Sequence, residues 1–139
     1  MISRILIGAC AAIVLFLGGV HLAYTLFTHK FSPTEGQVET AMKQAAPRIS
    51  SDMTMWKAWI SFHVSHSMGL TLFGLVYGYL TVCRWEVLQK SYFLAALGLL
   101  MLVGYVGLAR VYWFKAPLIG VCLATLFYIA GLVGTFACQ

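Results

Sequence analysis

Residues 56–79 read WKAWISFHVSHSMGLTLFGLVYGY, an apolar stretch that carries two histidines and three serines in its first half. No charged residue occurs from Ala58 to Cys83, and this run is longer than the ~20 residues that a helix needs to cross a bilayer. The sequence therefore predicts a membrane-spanning helix over about residues 56–82.

The polar residues of this helix follow a helical spacing. His63 and His66 lie three positions apart, so both imidazoles point in roughly one direction. Ser61, Ser65 and Gly69 recur at every fourth position on a neighbouring stripe, and small residues at this spacing let helices approach closely in lipid. We therefore expect the histidines to face other helices and not lipid.

The composition places the whole chain in the membrane class. Of its 139 residues, 61% are hydrophobic and 9% are charged, which is outside the range of soluble domains. The formal charge of +5 comes from residues at segment ends, which indicates interface anchoring and not nucleic-acid binding. The cysteines show no CxxC and no metal-ligand spacing, so free thiols are expected at Cys10, Cys83, Cys122 and Cys138.

Three more apolar segments are long enough to span, at about residues 5–27, 91–114 and 118–137. Residues 28–55 contain three of the four acids and predict an amphipathic loop helix, capped by Ser32 or Thr34 and ended by Pro47. The alternative for this segment is a mobile, solvated connector. The prediction is one all-α domain over residues 1–139, an integral membrane four-helix up-down bundle with one amphipathic loop helix. Residues 84–90 are expected to form a short connector, and the glycines of the third span to mark close packing.

Counting along the helices brings several polar residues to one depth. His21 lies six residues before the end of the first span and His63 seven after the start of the second. At ~1.5 Å per residue, both lie roughly 10 Å below the same mouth of the bundle. Ionisable residues inside spans are costly and usually functional. The predicted ligand-binding or cofactor-binding residues are His21, His63, His66, Arg110, Tyr24 and Ser65.

Three interpretations of this cluster stay open. The polar side chains could serve only to fix helix pairing through hydrogen bonds. Paired histidines on facing helices could instead hold a b-type haem or a metal ion, of which the metal is less favoured because no carboxylate lies within a span. In the third interpretation the cluster is a pocket for a lipid, quinone or anion, with Arg110 as the anion partner, or part of a surface that docks a larger membrane complex. An enzyme is not favoured, because no acid lies within a span and no nucleophile-base pair or nucleotide motif occurs, so no catalytic residue or metal ligand is assigned.

Several motifs resemble a family of small, uncharacterised bacterial proteins with four transmembrane helices. The matching blocks are Gly19 to Leu22, Phe31 to Pro33, Met55 to Trp59, Ser65 to Leu70 and Phe73 to Tyr77. The second-helix signature of the family is Trp-x-x-Trp followed by Ser-His-Ser-x-Gly. The position of His63 is commonly an asparagine in that family, which favours His21 and His66 over His63 as a haem pair. The resemblance implies a bacterial cytoplasmic-membrane protein and implies no activity.

The leading functional hypothesis is a non-enzymatic membrane protein, either an accessory subunit or a module that binds a hydrophobic ligand in a His/Arg pocket. The alternative is a b-type haem cytochrome. Expected partners are the bilayer, a larger membrane complex or further copies of the chain, and no nucleic acid. The positive-inside rule places the 28–55 loop in the cytoplasm, unless that loop is a folded cap whose charges are not topology signals.

Overall fold

The computed structural model describes residues 1–137, and within them the chain is all-α, as predicted, with no β-strand. The helices are α1 (Ile2–Phe27), α2 (Gly36–Gln44), α3 (Met55–Cys83), α4 (Trp85–Lys90), α5 (Tyr92–Tyr112) and α6 (Lys115–Phe136). Four of these, α1, α3, α5 and α6, are long and apolar enough to cross a membrane. Each covers one of the predicted apolar segments, with ends that differ from the prediction by at most three residues.

The loop helix α2 differs from the prediction at its N-terminus. Its N-cap is Glu35, which has extended backbone angles and makes no side-chain capping hydrogen bond. The expected cap at Ser32 or Thr34 is therefore wrong, because α2 begins only at Gly36. Ser32 lies in a turn, where its backbone N–H donates to the carbonyl of His29 at 3.0 Å. The helix ends at Gln44, and Ala45 is again extended, two residues before Pro47.

The segment between the second and third apolar stretches is helical and not a simple connector. Residues 85–90 form α4. The side chain of Leu88 on this helix is 1% exposed and belongs to the apolar core. A single buried leucine on a six-residue helix holds this segment against the rest of the core, which hydropathy alone did not indicate.

The chain divides into two compact units, which we name the core unit and the loop unit. The core unit comprises residues 1–17 and 70 onward, and the loop unit comprises residues 18–69. Both α1 and α3 contribute one segment to each unit. The three predicted histidines all belong to the loop unit.

Close helix contacts in the core unit occur at glycines. A Cβ atom on Gly74 of α3 would lie 2.6 Å from Cβ of Leu15 and 2.8 Å from its Cα, so only glycine allows α1 and α3 to approach this closely. A Cβ on Gly131 of α6 would lie 2.5 Å from Cγ1 of Ile7. Small residues thus set the distance of α1 from two other long helices.

A pair of tyrosines links α3 and α6 to α5 in the core unit. The hydroxyl of Tyr77 donates to the carbonyl of Leu94 at 2.7 Å, and that of Tyr128 lies 3.2 Å from the carbonyl of Ala95. The rings of Tyr77 and Tyr128 pack edge to face with centroids 5.7 Å apart, and both crowd against Gly98. The predicted close packing at Gly98 is confirmed.

Two other glycines of α5 do not mark close packing. Cβ atoms placed on Gly104 and Gly107 would meet no atom of residues 1–137 within 4 Å, so this part of the expectation is wrong. The thiols of Cys10, Cys83 and Cys122 are free, as predicted, and Cys138 lies outside the described residues.

Candidate functional site

Two histidines from different helices are in direct contact in the loop unit. Nε2 of His21, on α1, lies 2.9 Å from Nδ1 of His63, on α3, which is a hydrogen-bond distance. One ring nitrogen must donate and the other accept, so the pair holds one proton between the two facing atoms. The centroid of the His66 ring lies 5.5 Å from that of His21. The structure therefore brings all three predicted histidines together.

Aromatic side chains enclose the histidine pair. The Phe31 ring stacks on His63 with centroids 4.8 Å apart and lies 4.5 Å from the His21 ring. The Trp59 ring meets His63 edge to face at 4.4 Å. On the same helix, the Phe62 ring lies 5.9 Å from that of His63 and stacks with that of His66 at 6.0 Å. His63 is consequently only 9% exposed.

Hydroxyl groups one turn further along each helix bind the backbone of the two histidines. The hydroxyl of Thr25 donates to the carbonyl of His21 at 2.8 Å, and that of Ser67 donates to the carbonyl of His63 at 2.7 Å. Ser67 is completely buried. Each of these hydroxyls donates its one proton to an i−4 carbonyl, so it keeps only acceptor capacity for a ligand.

One nitrogen of the pair has no partner. Nε2 of His63 is buried and makes no hydrogen bond within residues 1–137, where the only comparable atom is the hydroxyl of Thr71 in the core unit. A buried polar atom without a partner costs about 1–3 kcal/mol, and most such groups in folded proteins are satisfied. Whichever tautomer His63 adopts, this nitrogen is available as a donor or as an acceptor for a group from outside the chain.

A groove shares two of its lining residues, Phe31 and Trp59, with the aromatic surroundings of the histidine pair. Its volume is about 400 Å³, and its lining residues are Lys30, Phe31, Ser32, Pro33, Met42 and Trp59. The indole N–H of Trp59 donates to the carbonyl of Phe31 at 3.0 Å. This hydrogen bond ties the first turns of α3 to the backbone of the loop at Phe31.

Three other predicted site residues have different surroundings. The ammonium group of Lys30 lies 4.0 Å from the centroid of the Tyr24 ring, in a cation–π contact. Within residues 1–137, Tyr24 makes no ring contact with a histidine. Ser65 is exposed, and its hydroxyl donates to the carbonyl of Phe62 at 3.0 Å. Arg110 belongs to the core unit, in the last turn of α5, where it is exposed and forms no hydrogen bond or ion pair with any described residue.

The histidine geometry bears on the haem hypothesis. The rings of His21 and His63 touch, and the rings of His21 and His66 are in edge contact, so neither pair leaves space between its rings for a macrocycle. Axial ligation by either pair therefore requires the rings to separate. In the part of the chain that is described, no group of three His, Cys, Asp or Glu residues is placed to share a metal ion.

Several contributors to this site were not predicted as site residues, among them Trp59, Phe31 and Met42. Trp59 lies four residues before His63, which places it on the same helical stripe. Phe31 and Met42 come from the 28–55 loop, where no periodic pattern connects them to α3. The i, i+4 spacing could have identified Trp59, but no sequence signal identified the other two.

Comparison of the chain with models of protein families, with curated proteins and with solved structures found no match. The site must therefore be interpreted from its own geometry.

Proposed function

We propose that this protein is a multi-pass membrane protein, a four-helix up-down bundle of the bacterial cytoplasmic membrane, that acts as a non-enzymatic binding module for a hydrophobic ligand. Four helices of sufficient length and hydropathy support the membrane assignment. The bacterial origin and the choice of membrane rest on the family resemblance described above.

One observation carries the assignment of a binding site. Phe31 and Trp59 line the groove on one side and contact the ring of His63, with its unpaired Nε2, on the other. A largely apolar groove of about 400 Å³ falls within the usual range of ligand pockets, which combine apolar walls with a few polar groups. In the proposed complex the two aromatic side chains move aside, and a polar atom of the ligand binds Nε2 of His63.

The surroundings of the histidines support binding and not catalysis. The nearby hydroxyls of Thr25 and Ser67 are both engaged with backbone carbonyls, so neither is paired with a histidine as a nucleophile. His63 is hydrogen-bonded to another imidazole, that of His21, and not to a carboxylate. The acids of the loop unit all lie outside α1 and α3. No carboxylate of these two helices is thus available to orient an imidazole as a general base.

Fluorescence of Trp59 tests the proposal. A variant with Trp56, Trp85 and Trp113 replaced by phenylalanine retains Trp59 as its only tryptophan, and a matched variant retains only Trp113, which packs against the apolar core of the core unit. Both proteins, purified in a mild detergent, are titrated with a bromine-substituted long-chain alcohol as a hydrophobic quencher with one polar group. We expect saturable quenching of Trp59 and a weak, non-saturating response of Trp113. Equal, non-saturating quenching of both would overturn the proposal.

Substitution of His63 separates specific binding from partition into the micelle. His63→Phe keeps an aromatic ring but removes the unpaired nitrogen, so affinity for the alcohol should fall about fivefold, the effect of one hydrogen bond. His29→Phe is the matched control, because His29 is an exposed histidine of the same unit. If His63→Phe bound the alcohol as tightly as His29→Phe, Nε2 of His63 would not be the polar anchor.

A further inference from the structure

We infer that the junction of α3 and α4 is a binding site for the phosphate group of an anionic lipid. This site belongs to the core unit and is independent of the histidine groove. A cavity of about 390 Å³ opens there, and its lining residues are Arg4, Val82, Cys83, Arg84, Trp85, Glu86 and Val87.

The first arginine is held in place by the end of α3. Nε of Arg4 donates to the carbonyl of Thr81 at 2.6 Å, and its Nη2 donates to the carbonyl of Val82 at 2.5 Å. These are two of the last four carbonyls of the helix, which have no partner within it. A guanidinium group has five N–H donors, so donors of Arg4 remain for a ligand after both carbonyls are bound. The charge is therefore fixed in position before a ligand arrives.

The second arginine supplies an uncompensated charge. Arg84 is exposed, and neither it nor Arg4 forms an ion pair with Glu86 or with any other acid among residues 1–137. The residues that line the cavity thus carry two guanidinium groups against one carboxylate. Guanidinium groups bind phosphate oxygens through paired, charge-assisted hydrogen bonds, which makes a phosphate the fitting anion.

The position of the cavity favours a lipid as the source of the phosphate. It lies at the C-terminal end of α3, a helix of 29 residues that is long and apolar enough to cross a membrane. Trp85 lines the cavity beside the two arginines, and tryptophan and arginine side chains are typical of the headgroup level. The apolar wall of Val82 and Val87 suits the start of an acyl chain.

Lipid-dependent stability tests this inference on the full-length protein in mild detergent. We add phosphatidylglycerol, phosphatidylcholine or inorganic phosphate separately. For each addition the melting temperature of the protein is measured, and native mass spectrometry gives the dissociation constant. We expect phosphatidylglycerol to bind and stabilise more than phosphatidylcholine. Arg84→Gln should weaken phosphatidylglycerol binding by about tenfold or more, the loss of a charge-assisted hydrogen bond.

Lys90→Gln is the matched control, because it removes a positive charge from the same short helix without touching the cavity. It should keep the lipid preference. Equal effects of the two phospholipids, or an Arg84→Gln protein that binds like Lys90→Gln, would overturn the site. Stabilisation by inorganic phosphate equal to that by phosphatidylglycerol would overturn the lipid as the source.

Discussion

Nε2 of His21 and Nδ1 of His63 lie 2.9 Å apart, joining α1 and α3 by a hydrogen bond between two imidazoles. This bond uses one nitrogen of His63 and leaves the other, Nε2, buried and without a partner. The proposed binding site therefore depends on the nitrogen of His63 that the contact between the two helices does not use.

The histidine pair should contribute to stability as a coupled unit. His21→Phe and His63→Phe, made singly and together, should give a coupling free energy of about 0.5–1.5 kcal/mol in unfolding, because each single change already breaks the shared bond. The measurement is reversible unfolding in detergent by circular dichroism. His29→Phe combined with His21→Phe is the control and should be additive, and additivity of the His21 and His63 changes would contradict the bond.

The hydrogen bond from the Trp59 indole to the carbonyl of Phe31 should protect the loop from proteolysis. Trp59→Phe keeps an aromatic ring but removes the N–H donor, so the chain around Lys30 should open more often and trypsin should cleave there faster. Cleavage products are followed by mass spectrometry. Trp56→Phe is the control, since the Trp56 ring contacts Lys43 and donates no hydrogen bond to a described residue. Equal cleavage after Lys30 in both variants would argue against the role assigned to Trp59.

A methyl group should be tolerated at one glycine and not at another. Gly74→Ala places a Cβ 2.8 Å from backbone atoms of Leu15, so α1 and α3 must separate, at a cost of about 1–3 kcal/mol. The Cβ of Gly104→Ala meets no atom of the described residues within 4 Å. The change also removes the flexibility of a helical glycine, so it should leave stability unchanged or raise it by up to about 1 kcal/mol. Thermal melts of the two variants decide this, and similar melting temperatures would be the contrary result.

The two tyrosines of α3 that lie two positions apart should respond differently to loss of their hydroxyls. Tyr77→Phe removes the buried bond to Leu94 and should lower the free energy of unfolding by about 0.5–1.5 kcal/mol. Tyr79→Phe is the control, because Tyr79 is 54% exposed and its hydroxyl bonds no described residue. Unfolding in detergent, monitored by circular dichroism, compares the two, and an equal loss would contradict a structural role for the Tyr77 hydroxyl.

The number and position of the long helices were predictable, because hydropathy and the absence of charge are properties of local sequence. The common depth of His21 and His63 was also predictable, since it follows from counting residues along two helices that share a mouth. The surroundings of Ser65 were not predicted correctly from the sequence. It was included as a site residue, yet its side chain is exposed and bonds only the carbonyl of Phe62, one turn back on its own helix.

The amino-acid sequence by itself determined four long apolar helices, their approximate ends and the presence of polar residues within them. Only the tertiary structure decided that His21 bonds His63, that Phe31 and Trp59 cover the pair, and that one histidine nitrogen has no partner. The reason is physical: hydropathy and helical period are set by residues within a few turns of one another. A hydrogen bond or a ring contact depends instead on the rotation and separation of two helices and on the path of the loop between them.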